Sequence, residues 1–82
     1  MFIELLKGCL VEKASIVLIR KTLVPVSDLV NAGKPCVMVI YRCGNETSTI
    51  TCHSTDSAVI DQHYDWIISQ FDVIRLPANS SF

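Results

Sequence analysis

Several signals that would point to a function are missing from this chain. It has 4 cysteines and 2 histidines but no Cys-x-x-Cys pair. Zinc knuckles set their thiolates at short, regular spacings, and Cys9, Cys36, Cys43 and Cys52 do not follow one. Charge of one sign is not in excess: 7 basic residues stand against 8 acidic ones. The basic residues are scattered, and only Arg20-Lys21 are adjacent. A nucleic-acid binder needs a basic stripe to neutralise phosphates, and a nucleic-acid mimic needs far more negative charge than a net of −1. No apolar run approaches the roughly 20 residues that span a bilayer. Glu4 and Lys7 interrupt the N-terminal apolar stretch, so it does not read as a secretory signal. The cysteines are therefore expected to be reduced thiols of a cytoplasmic protein, serving as small hydrophobes. Glycine and proline number 3 each, and no repeat or low-complexity segment is present.

Hydrophobic residues are abundant, at 50% of 82. A chain of this length buries about 60–65% of its unfolded surface, enough for one core. One compact domain over residues 1–76 is expected, with residues 77–82 as a frayed tail.

The best-marked stretch is Cys36 to Phe71. Gly44-Asn45 separates two runs rich in Val, Ile, Tyr and Thr, the signature of a two-residue hairpin turn. That turn fixes a register: Cys43 opposite Glu46, Tyr41 opposite Ser48, Val39 opposite Ile50, Val37 opposite Cys52. Alternation then puts Val37, Val39, Tyr41, Ile50 and Cys52 on an apolar face. Cys36, Met38, Ile40 and Arg42 share the other face with His53, Thr51, Thr49 and Thr47. Ser54, Thr55 and Asp56 are all capable helix caps. A helix is expected from about Ser57 to Phe71, with Ile60, Tyr64, Ile67, Ile68 and Phe71 on its core stripe and Asp61, Gln62, Asp65 and Ser69 on its wet side.

Ahead of this stretch, Phe2–Leu6, Lys7-Gly8 and Cys9–Val11 read as a small hairpin or a bent strand. Ile16–Ile19 is a short β-branched run, expected to be a buried strand. Between Leu23 and Pro35, Ser27 is a plausible cap for a helical turn over Asp28–Ala32, with Gly33 as its stop; a loop is the alternative. Beyond the helix, Asp72–Leu76 is expected to be extended, as a last strand or as a strap across the sheet. The fold class that results is α+β: an antiparallel sheet of about four or five strands with one main helix on a face.

This order of elements resembles small bacterial strand-rich modules with a C-terminal helix, such as the FlbD-like flagellar regulators and pleckstrin-homology-like domains, over most of residues 2–71. Leu23–Pro35 is longer than the compact versions need, and no functional residue carries over. The resemblance implies a binding or regulatory role rather than catalysis.

The residues themselves offer no catalytic constellation. Cys52 and His53 are adjacent in a strand, so they point to opposite faces and cannot act as nucleophile and base. His53, Ser54 and Asp56 lie where a helix cap belongs. Asp61 and Asp65 lie on an exposed helix face, where paired carboxylates solvate rather than catalyse. No cofactor is expected. A second helical flank stands out instead: Val59, His63, Trp66 and Gln70 project together beside the core stripe. Tryptophan buries a large area with one polar handle and is enriched at interfaces. Trp66 is thus either a partner-binding residue or a cover on the core's edge against Asp72–Leu76. Free strand edges offer a second docking mode.

The expected function is a small non-enzymatic interaction or regulatory module that binds a protein or a second copy of itself. Its size also suits a phage- or mobile-element-encoded inhibitor of a host system. Two further readings stand beside it. One is a thiol- or metal-dependent regulator using Cys36, Cys43, Cys52 and His53. The other is a nucleic-acid-binding regulator, which requires Arg20, Lys21, Arg42 and Lys13 to converge.

Overall fold

Five strands and one helix follow one another in the computed structural model, which describes all of residues 1–82. They are β1 (Phe2–Leu6), β2 (Cys9–Glu12), β3 (Ile16–Leu23), β4 (Pro35–Cys43), β5 (Glu46–His53) and α1 (Ser57–Ser69), with a 3-10 turn at Lys13–Ser15. All pairing is antiparallel. The strands do not form a single sheet. β1 and β2 make a separate two-stranded ribbon, and the main sheet has the order β3-β4-β5. The expectation of one sheet is corrected here: Lys13–Ser15 turns the chain before β3 begins.

The β4–β5 hairpin has the expected register throughout, from Cys43 opposite Glu46 to Cys36 opposite His53. Gly44 takes φ +67° and Asn45 keeps a negative φ. Glycine alone at the first turn position with positive φ fits a type II′ turn, whose twist matches the strands. One face of the hairpin is core: Val37, Val39, Ile50 and Cys52 are buried with Ile3, Leu5 and Val11 of the ribbon and Ile60 and Ile67 of α1. The ribbon and α1 thus cover the same face of the main sheet. Each of these apolar side chains contributes about 1.5–3 kcal/mol by leaving water.

Asp56 caps α1, accepting the Ala58 N–H at 2.9 Å. The helix stops at Ser69, two residues short of the expected end, and Gln70 is the C-cap. Two lysines fasten it to the rest of the fold, one from the 3-10 turn and one from β3. Lys13 donates to the Gln70 carbonyl and lies over the Phe71 ring at 4.9 Å. A cation there also complements the negative end of the helix dipole. Lys21 reaches Asp61 at 3.0 Å and lies over Tyr64 at 5.0 Å.

The β3–β4 connection continues the ladder at its base and holds one helical turn, Ala32 N–H to the Asp28 carbonyl at 2.8 Å, ended by Gly33 at φ +81°. Val24 donates to Lys34 and accepts from Gly33, both at 2.9 Å. Asp28, not Ser27, organises the turns inside it, accepting the N–H groups of Val30 and Asn31. Asp72–Leu76 forms no strand. It passes beside α1, with Arg75 at 3.6 Å from Asp65 and Val73, Ile74 and Leu76 facing Tyr64 and Ile68 across a shallow cleft. No helix is long and apolar enough to cross a membrane.

Candidate functional site

The ribbon and α1 lie side by side on the main sheet and leave an open groove of about 380 Å³ between them. One wall is the β1–β2 turn, Glu4 to Lys7; the other is Val59, His63 and Trp66 of α1. Ile60 and Cys52 lie at its base, and His53 and Ser54 at one end. The turn holds its shape because Gly8, at φ +81°, aims its N–H at the Glu4 carboxylate, 3.1 Å away.

Three residues of the expected flank therefore converge on one concave surface. Trp66 is 46% exposed and Val59 50%. The His63 and Trp66 rings run nearly parallel, 8° apart, with centroids separated by 6.4 Å. The Nε2 atom of His63 is buried and has no hydrogen-bond partner. A buried polar atom left unsatisfied costs about 1–3 kcal/mol. Gln70 does not join them. It turns back on its own helix, donating to the Trp66 carbonyl at 3.3 Å and to Ser69 Oγ at 3.0 Å. Asp72–Leu76 lies by Tyr64 and Ile68, so it does not cover Trp66. The sequence pattern does not reveal the contribution of Glu4–Lys7. The only local signal was the Lys7-Gly8 turn, and nothing in it says which helix face the turn approaches.

The thiols are free and divide by position. Cys43 is exposed beside the hairpin turn; Cys36 and Cys52 are buried at the other end of the same strands. Burial pushes the Cys36 thiol up, against a smaller opposing effect of hydrogen bonding with the Thr22 backbone. Burial also pushes Cys52 up, helped by the neighbouring Cys36 and Cys9 thiols. Cys52 Sγ has the Leu5 carbonyl at 3.7 Å. Thiols held protonated in this way are poor nucleophiles. No three His, Cys, Asp or Glu side chains are grouped to hold a metal ion.

The four basic residues are divided between the faces. Lys13 and Lys21 are engaged with α1 and Phe71. Arg20, opposite Met38, and Arg42, opposite Thr47, belong to the other face of the main sheet.

No protein-family model, curated protein or solved structure matches the chain.

Proposed function

We propose that the protein is a small cytoplasmic protein-binding module with a regulatory, non-enzymatic role, and that it seats an apolar side chain of its partner in the groove between the β1–β2 turn and α1. The observation that carries this reading is a half-exposed Trp66, stacked on His63, in one groove. An anchoring residue enters such a pocket by shedding its own water and covering the indole. Glu4 and Lys7 put one charge of each sign on the rim, which orients a partner without selecting a strongly charged one. Free thiols suit a reducing compartment. The resemblance to FlbD-like and pleckstrin-homology-like modules points the same way.

The test places a photo-crosslinking amino acid at Val59, inside the groove, and in a second protein at Asn79, outside it. In cells of the native host the Val59 probe is expected to trap one discrete protein, and adding Trp66→Ala is expected to abolish the trapped band. The same band pattern from both positions, or a band indifferent to Trp66→Ala, overturns the proposal. A urea titration of Trp66→Ala confirms that it remains folded.

A further inference from the structure

The two outer strands of the main sheet are finished differently. β3 carries a register shift between Ile16 and Leu18 and two charged residues, Arg20 and Lys21. Bulges and charges are the devices that stop an edge from pairing with another strand. β5 has neither. Its register is unbroken over eight residues, and Thr47 to His53 contains no Lys, Arg, Asp, Glu or Pro.

The register also identifies the outward groups of β5. In an antiparallel pair, alternate residues exchange both ladder bonds. The two-residue turn makes Cys43 and Glu46 such a pair, and the Ser54 N–H to Pro35 carbonyl bond at 3.2 Å keeps the same phase at the far end. Thr47, Thr49, Thr51 and His53 therefore point their N–H and C=O groups away from β4. None of these groups meets a turn, loop or side chain of the chain.

We infer that β5 pairs with β5 of a second copy, antiparallel and about a two-fold axis beside Ile50. Only this register uses all four outward residues of each strand. Thr49 meets Thr51 of the second copy, Thr47 meets His53, Ser48 meets Cys52, and Ile50 meets its own counterpart. Cross-strand threonine pairs are favourable, and no like charges are opposed. Registers centred on Thr49 or Thr51 push His53 or Thr47 past the end of the opposing strand. The product is one sheet of order β3-β4-β5-β5-β4-β3 with both helices on the same face. Its two new edges are both β3, the protected strand, so assembly closes at the dimer and does not run on into a ribbon. The interaction is independent of the Trp66 groove, which shares only Cys52 and His53 with this strand.

The experiment is size-exclusion chromatography with light scattering over a concentration series, on the full chain and on two variants. Thr49→Pro removes one outward N–H and no ladder bond to β4. The double variant Thr49→Lys with Thr51→Lys sets lysines opposite one another across the two-fold axis. Wild type is expected at twice the chain mass of 9.1 kDa. Both variants are expected at the single-chain mass with an unchanged circular dichroism spectrum. A wild type that stays at single-chain mass throughout overturns the inference, as does a dimer that persists in a folded variant. If Thr49→Pro fails to fold, the lysine variant decides.

Discussion

Lys21 on β3 holds Asp61 on α1 at 3.0 Å and at the same time places its ammonium 5.0 Å above the ring of Tyr64. Both members of the ion pair are substantially exposed, at 42% and 57%, so water screens most of the attraction. Asp61→Asn is expected to cost well under 1 kcal/mol in urea unfolding, within the range of exposed pairs. Lys21→Ala is expected to cost more, by about 0.5–1 kcal/mol, because it also removes the cation over Tyr64. Equal losses from the two variants would assign the whole effect to the ion pair.

Ile67 is fully buried between α1 and the sheet, whereas Ile74 is wholly exposed. Ile67→Ala is expected to cost about 2–5 kcal/mol, the range for isoleucine truncation in a packed core. For a marginal 82-residue domain that is a large part of the total. Ile74→Ser is expected to fall within about 0.5 kcal/mol of wild type. Thermal unfolding of the two variants side by side separates core from tail.

The thiols predict an order of reaction and a direction in pH. With an aromatic disulfide reagent Cys43 is expected to react first, Cys9 more slowly, and Cys36 and Cys52 only at the rate of opening. The ordinary thiol value is 9.0, and the folded state holds Cys36 and Cys52 above it. Above that value the unfolded chain has released protons that the folded chain retains. Stability from these two groups is therefore complete below about pH 9 and declines as the pH rises toward their folded values. The denaturation midpoint is expected to fall on the alkaline side, and less so in Cys36→Ala.

Gly44 supplies the positive φ of the β4–β5 turn, and a Cβ placed there meets nothing within 4 Å. Gly44→Ala is thus a pure backbone test. The expected loss is about 1–2 kcal/mol, the cost of left-handed backbone for an L-residue. Gly44→Asn is expected to lose a similar amount, since the first position of a type II′ turn lies outside the left-handed helical region that asparagine tolerates. Hairpin amide exchange measured by NMR would reveal it.

The sequence marks most clearly what adjacent residues decide. Side-chain alternation and Gly44-Asn45 were enough to place every pair from Cys36–His53 to Cys43–Glu46. Asp56 announced the helix start, and Ile60 and Ile67 its buried stripe. Events that depend on distant contacts were hidden. The end of α1 at Ser69 involves Lys13, which binds the carbonyl of Gln70, 57 residues later in the chain. Asp72–Leu76 has strand-like composition, but β3 and β5 are the outer strands of the main sheet and neither pairs with it. The groove was half legible. Helical spacing grouped Val59, His63 and Trp66, but the opposing wall comes from a turn whose position depends on how two sheets pack. Gln70 shared that spacing and still turned away, because a residue at a helix C-terminus finds free carbonyls closer than any partner.

No backbone hydrogen bond joins the β1–β2 ribbon to the main sheet. The ribbon rests on the sheet through Ile3, Leu5 and Val11, and dispersion and hydrophobic contacts have no preferred direction. It behaves as a jaw on a greased seat. The one directional link between them is the weak Cys52 Sγ–H to Leu5 carbonyl bond at 3.7 Å, while the hydrogen-bonded sheet beneath fixes its own register. Leu5 and Cys52, which meet under the groove, therefore bear on its width through their side-chain volume.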